Sequence, residues 1–148
     1  MTKEKMDFTT VWQGNAAGKG YMEAEHFNLD IALPPYYGGR GGEAEPKGML
    51  IASATACYIM TLASFLSKSK IPVNDIKLAT EATVRSESDY YLLHKVEVVL
   101  ENNADNRQKA RADRLIIEAD ERCPIGNLLK KTGSTIEVEG KVTLYSDS

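Results

Sequence analysis

Met49 to Ser67 reads MLIASATACYIMTLASFLS, a run without a single charge. It meets the length test for a membrane span. Ser53, Thr55, Thr61, Ser64 and Ser67 dilute its apolarity, however, and the chain has no second such run, so it reads as the core helix of a soluble protein. Pro46 suits its first turn and Ile71-Pro72 its stop, which predicts a helix from Pro46 to about Lys70. A helix apolar on nearly all sides must be covered all round, and a chain of 148 residues has little left to do so. That imbalance points to a dimer.

On the N-terminal side of this helix, Phe8 to Gln13 and Tyr21 to Glu25 read as short strands joined by a glycine-rich turn, Gly14 to Gly20. Asn28 to Leu33 alternates apolar and polar side chains as a third strand. Pro34-Pro35 ends it, and Tyr36 to Glu45 packs four glycines around Arg40, a composition expected to be too flexible for regular structure. On the C-terminal side, Ile76–Ser86 and Tyr90–Asn102 read as a hairpin turning at Ser86 to Asp89. Asn106 to Arg122 carries an apolar stripe of Ala110, Ala112, Leu115, Ile116 and Ala119 on a charged helix. Pro124 opens a short further helix that Gly133 closes, and Ser134 to Tyr145 is a last strand. The order βββ-α-ββ-α-α-β predicts a single α+β domain over 1–148, with a mainly antiparallel six-stranded sheet and a long central buried helix.

Hydrophobic residues make up 43% and charged ones 26%, enough apolar side chain for a core. With 18 Lys and Arg against 21 Asp and Glu, no basic field exists to hold a phosphate backbone, and nucleic acid is not an expected partner. The first eight residues show no apolar run followed by a small-residue cleavage site, so the expected location is cytoplasmic. There Cys57 and Cys123 would be kept as thiols, which leaves burial, metal binding or redox chemistry open for them.

Cys57, inside the apolar helix, has a bland reading as a small buried hydrophobe. Cys123, just before Pro124, sits at a helix N-terminus, where free N–H groups and the macrodipole favour a thiolate. His26 and His94 lie far from both cysteines without CxxC or HxxxH spacing, so neither a metal nor a cysteine hydrolase is expected. Gly-Gly-Arg-Gly-Gly is not a phosphate-binding loop, and no cofactor is expected. A thiol pair with an arginine remains. A thiolate attacking a peroxide needs a nearby positive charge, which Arg40 could supply, and a second thiol converts the resulting sulfenic acid to a disulfide.

Three segments carry a resemblance. Trp12-Gln13-Gly14 with Gly18-Lys19-Gly20, Pro46 through Ala54-Thr55-Ala56-Cys57-Tyr58, and Ala119-Asp120-Glu121-Arg122-Cys123-Pro124-Ile125-Gly126 together resemble the OsmC/Ohr family of osmotically inducible and organic-hydroperoxide-resistance proteins, nearer its OsmC-like branch. The resemblance spans nearly the whole chain. It implies an intertwined homodimer with its central helices packed together, and a metal-free peroxidase that reduces organic hydroperoxides to alcohols and protects against oxidative stress. Cys57 takes the attacking position, Cys123 the resolving one and Arg40 that of the active-site arginine, while Lys19 stands where the Ohr branch has its arginine. The implied reductant is a dithiol on a lipoylated protein. One departure stands out. The family's glutamate after the helix-opening proline is replaced here by Lys47, so either Glu45 or Glu43 pairs with Arg40, with Glu45 preferred, or peroxidase activity is weak and the fold serves as a small-molecule binding or interaction module.

Overall fold

The computed structural model describes residues 3–146. The chain divides into two compact units, residues 1–50 and 51–148.

In the first unit, β1 (Thr9–Gln13), β2 (Lys19–Glu23) and β3 (Asn28–Ile31) form an antiparallel sheet in the order β1-β2-β3. Asn15 organises the β1–β2 turn, its carbonyl accepting from Trp12 Nε1 and from the Gly18 N–H, each at 2.9 Å. Gly20 pairs with Trp12 across the strands. A Cβ there would come within 2.8 Å of the indole and 2.5 Å of the Val11 carbonyl, so the close approach requires glycine.

The glycine-rich segment is more ordered than its composition suggests. A 3-10 turn over Pro35–Tyr37 is closed by Gly38 in the left-handed region, with φ 88°. The Gly39 N–H then donates to the Pro34 carbonyl and the Gly41 N–H to that of Leu33. Ala44 forms a parallel bridge with Ile31, which ties the end of the loop back to β3. Backbone groups supply this order, so the shortage of side chains does not prevent it.

α1 (Pro46–Lys68) starts in the first unit and runs into the second. Its buried residues are Ala54, Tyr58, Leu62 and Leu66, a single stripe at i, i+4 spacing. The helix is long and apolar enough to cross a membrane, but in the single chain it buries only that stripe, and Met60 is 69% exposed. It ends through Lys70 in the left-handed region, φ 57°, with the Ile71 N–H returning to the Leu66 carbonyl.

The second unit holds a separate sheet of β4 (Val73–Ser86), β5 (Asp89–Leu100) and β6 (Thr135–Leu144), in the order β4-β5-β6. β4 and β5 are an antiparallel hairpin, whereas β6 runs parallel to β5. The expected six-stranded sheet is therefore corrected to two three-stranded ones. Short turns let β1, β2 and β3 satisfy one another, while β4 opens a new hairpin after the whole length of α1. A parallel partner for β5 needs a crossover connection, which α2 (Asn106–Arg122) and α3 (Pro124–Lys131) provide. A capping box between Asp105 and Gln108 starts α2, and Pro124 opens α3 as expected. Tyr90, Leu92, His94, Val96, Val98 and Leu100 form the buried face of β5. The main core packs the last three of these with Tyr58, Leu62 and Leu66 of α1 and Ala112, Leu115, Ile116 and Ala119 of α2.

Candidate active site

Cys57 and Cys123, 66 positions apart in sequence, meet in the second unit. Cys57 is half-buried on α1, one residue before the fully buried Tyr58; Cys123 is 2% exposed at the corner where α2 ends and α3 begins. Both are free thiols, and they are hydrogen-bond neighbours. Thr61, one turn after Cys57, donates its hydroxyl to the Cys57 carbonyl at 2.7 Å.

The corner holding Cys123 is clamped twice. Lys130 Nζ bonds the Asp120 carboxylate at 3.0 Å and the Asp120 carbonyl at 3.3 Å. Asn127 Nδ2 donates to the Glu121 carbonyl at 3.0 Å, while the Asn127 N–H donates to that of Cys123. Gly126 lies under the thiol: its N–H donates to the Cys123 sulfur, and a Cβ would stand 3.3 Å from that atom.

The helix N-terminus does not make Cys123 a thiolate. Burial pushes its pKa up to about 11, the Gly126 N–H pulls the other way, and the neighbouring Cys57 and the Asp120 carboxylate push up again. Desolvation outweighs the helix end because α3 spans only Pro124–Lys131 and the sulfur is enclosed by the core.

Behind the thiols stands a buried aromatic pair that the reading of the sequence did not anticipate. Tyr58 stacks on His94 with ring centroids 4.8 Å apart, and its hydroxyl donates to the Ile116 carbonyl at 2.8 Å. His94 Nδ1 shares a 2.8 Å hydrogen bond with the Thr80 hydroxyl. Burial raises the Tyr58 pKa and lowers that of His94, with Asp120 favouring the charged imidazole and Lys130 opposing it. The signal for His94 was its place in the alternating row from Tyr90 to Leu100, which assigns it to the buried face; for Gly126 it was a glycine in the first turn of α3.

Arg40 and Glu45 belong to the first unit. Both oxygens of Glu45 accept backbone N–H groups at the start of α1, from Lys47 at 3.0 Å and from Gly48, so its carboxylate caps the helix. Arg40 is exposed and forms no ion pair among the described residues. The preferred Glu45–Arg40 pair is thus not formed in the single chain, nor is one with Glu43. Lys47 reaches back to the Tyr37 hydroxyl at 3.0 Å. Among the described residues no group of three His, Cys, Asp or Glu side chains is placed to hold a metal ion.

The family model for OsmC-like protein matches residues 39–139, which include both cysteines, Arg40 and Glu45. The chain belongs to the OsmC-like family. It is 28% identical to the uncharacterized protein YmaD of Bacillus subtilis, over 80% of this chain and 82% of that one. It is 26% identical to organic hydroperoxide resistance protein-like 2 of Staphylococcus epidermidis, over 97% and 99% of the two chains. An organic hydroperoxide resistance protein OsmC from Legionella pneumophila shares the fold of this OsmC-like chain, with a TM-score of 0.60 at 22% identity over 95% and 99%.

Proposed function

We propose that this OsmC-like protein is a thiol peroxidase for organic hydroperoxides. The observation that carries the reading is the meeting of two free thiols of unequal exposure in one core, in a chain of this family. The accessible Cys57 attacks as thiolate: a sulfur lone pair takes the distal peroxide oxygen, the O–O bond breaks, and the departing alkoxide takes up a proton to leave as the alcohol. The protonated Cys123 then condenses with the Cys57 sulfenic acid, forming a disulfide and releasing water. An external dithiol, on a lipoylated protein by resemblance, is oxidised as it returns both thiols. Arg40 activates the attack in the functional assembly, which we take to be an intertwined homodimer in the cytoplasm. Cys57→Ser should reduce cumene hydroperoxide turnover, measured with excess dithiol, to the uncatalysed background. Wild type that turns over no faster than Cys57→Ser rules the reading out.

A second reading rests on the commitment of Glu45 to the helix cap and on an Arg40 that forms no ion pair among the described residues: the fold is retained as a binding or interaction module with weak peroxidase chemistry. Thiol titration after one equivalent of organic hydroperoxide separates the two. Rapid loss of both thiols supports the peroxidase, and their persistence supports the module.

A further inference from the structure

Cys123 is a joint as well as a thiol. It caps the end of α2 and the start of α3 at once, a single residue of extended backbone, φ −74° and ψ 111°, between two helices. Helices that meet through one such residue can pivot about it unless side chains lock them. The backbone grips the α2 side weakly, where the Cys123 N–H reaches the Asp120 carbonyl at 3.4 Å. Side-chain bonds span the joint at two places, from Asn127 to the Glu121 carbonyl and from Lys130 to Asp120.

Of these two, the Lys130–Asp120 contact is the stronger. It joins opposite charges at 3.0 Å and adds a second bond from the same Nζ to the Asp120 carbonyl. Its side chains are 31% and 18% exposed, and the other ion pairs among the described residues are all more open to water, so screening is least here. Asp120 is the third residue before Cys123 and Lys130 the seventh after it, so the pair fastens the end of α2 to the last turn of α3 across the thiol. The short helix has its own apolar anchorage, with Leu129 and Ile125 packed in a cluster with Leu92 and Ile136. Loss of the pair therefore loosens the joint without detaching α3.

Disulfide closure depends on that joint. Hydrogen-bonded sulfurs must approach to about 2.05 Å, and Cys57 lies inside an unbroken helix of 23 residues, so the closing displacement falls to the Cys123 corner. Until it is complete, the Cys57 sulfenic acid is open to a second hydroperoxide. That molecule gives one oxygen to the sulfur, breaks its own O–O bond and leaves as the alcohol, with Cys57 stranded as a sulfinic acid.

We propose that Lys130 and Asp120 are positioning residues for the resolving step, their pair holding Cys123 against Cys57 so that closure outruns the second oxidation. The inference rests on the peroxidase reading and gives that site its resistance to excess peroxide. In the step they support, the Cys57–Cys123 S–S bond forms, the Cys57 S–O bond breaks, and the Cys123 proton leaves with the oxygen as water.

Lys130→Met removes the cation and keeps the stem, whereas Lys130→Arg keeps the pair. With graded cumene hydroperoxide and no reductant, mass spectrometry reads the disulfide as a loss of two hydrogens and the sulfinic acid as a gain of two oxygens. Sulfinic acid at Cys57 should appear in Lys130→Met at roughly one-tenth of the peroxide that wild type needs. The rate at which the first equivalent is consumed should not change, and Lys130→Arg should match wild type. An unchanged threshold, a first oxidation slowed in parallel, or failure of Lys130→Arg to restore the threshold overturns the proposal. Asp120→Asn/Lys130→Met should be as sensitive as Lys130→Met; recovery of the wild-type threshold would assign the effect to the Asp120 charge, which works against a thiolate at Cys123, and overturn positioning.

One measurement needs no hydroperoxide. The disulfide is formed with diamide and equilibrated against dithiothreitol, and Lys130→Met should favour the dithiol roughly ten-fold more than wild type does. Equal equilibrium constants overturn the positioning role. A shifted equilibrium in a protein that consumes no hydroperoxide instead overturns the peroxidase reading and leaves the positioning of the thiols standing.

Discussion

Cys57 and Cys123 carry the same functional group in opposite settings, and the contrast assigns their roles. A partly open thiol can meet a substrate; an enclosed one, with its pKa pushed up to about 11, keeps its proton until a sulfenic acid forms beside it. His94 gives the site a pH signature. Its imidazole is 1% exposed and burial lowers its pKa below the usual 6.5, so under mild acid the unfolded chain binds a proton that the folded chain refuses. Folded stability is intact above pH 6.5 and falls as pH drops below it, before most carboxylates titrate. Chemical denaturation at stepped pH should show this decline in wild type and a flatter profile in His94→Gln; parallel profiles would mean that His94 does not couple to folding. Both cysteines were legible as candidates from residue type and position. The state of Cys123 was not, because a helix end is visible in sequence whereas the packing of Tyr58, Ala119 and the sheet around a sulfur is not.

At the scale of elements, the crossing of α2 over β6 depends on the missing side chain of Gly140. A Cβ there would come within 2.6 Å of Ile116 Cγ2 and 2.9 Å of its Cδ1, and Ile116 is fully buried. Gly140→Ala should cost about 1–3 kcal/mol, read as a lower urea midpoint with an unchanged slope. An unchanged midpoint would show that Ile116 has room to move. The start of α2 at Asn106 and the break at Cys123-Pro124 agree with the sequence reading because caps and prolines act locally. The expected single sheet failed for the complementary reason. Alternation marks a residue as strand and gives its face, but it does not name the neighbouring strand. Likewise Glu45 was recognisable as an acid beside Pro46, yet nothing local decided between a pair with Arg40 and the helix cap that it makes.

The whole molecule leaves apolar surface open in a single chain. Besides Met60 of α1, Trp12, Phe8 and Phe27 of the first unit are exposed. This is what the proposed dimer would cover. Met60→Asp places a charge in the middle of the open face of α1 and should convert a dimeric mass in light scattering to a monomeric one, with Met60→Leu retaining the dimer. A wild-type mass of one chain would remove the dimer from the proposal. The separation of the two cysteines also has a thermodynamic side. A bond between them would close a ring of some 66 residues containing the β4–β5 hairpin and all of α2. Chain entropy alone makes such a ring worth roughly 4 kcal/mol. Each turn of the proposed cycle would then alternate a looser, receptive protein with a tightened, spent one, so that resistance to proteolysis itself reports how much of the population awaits its reductant.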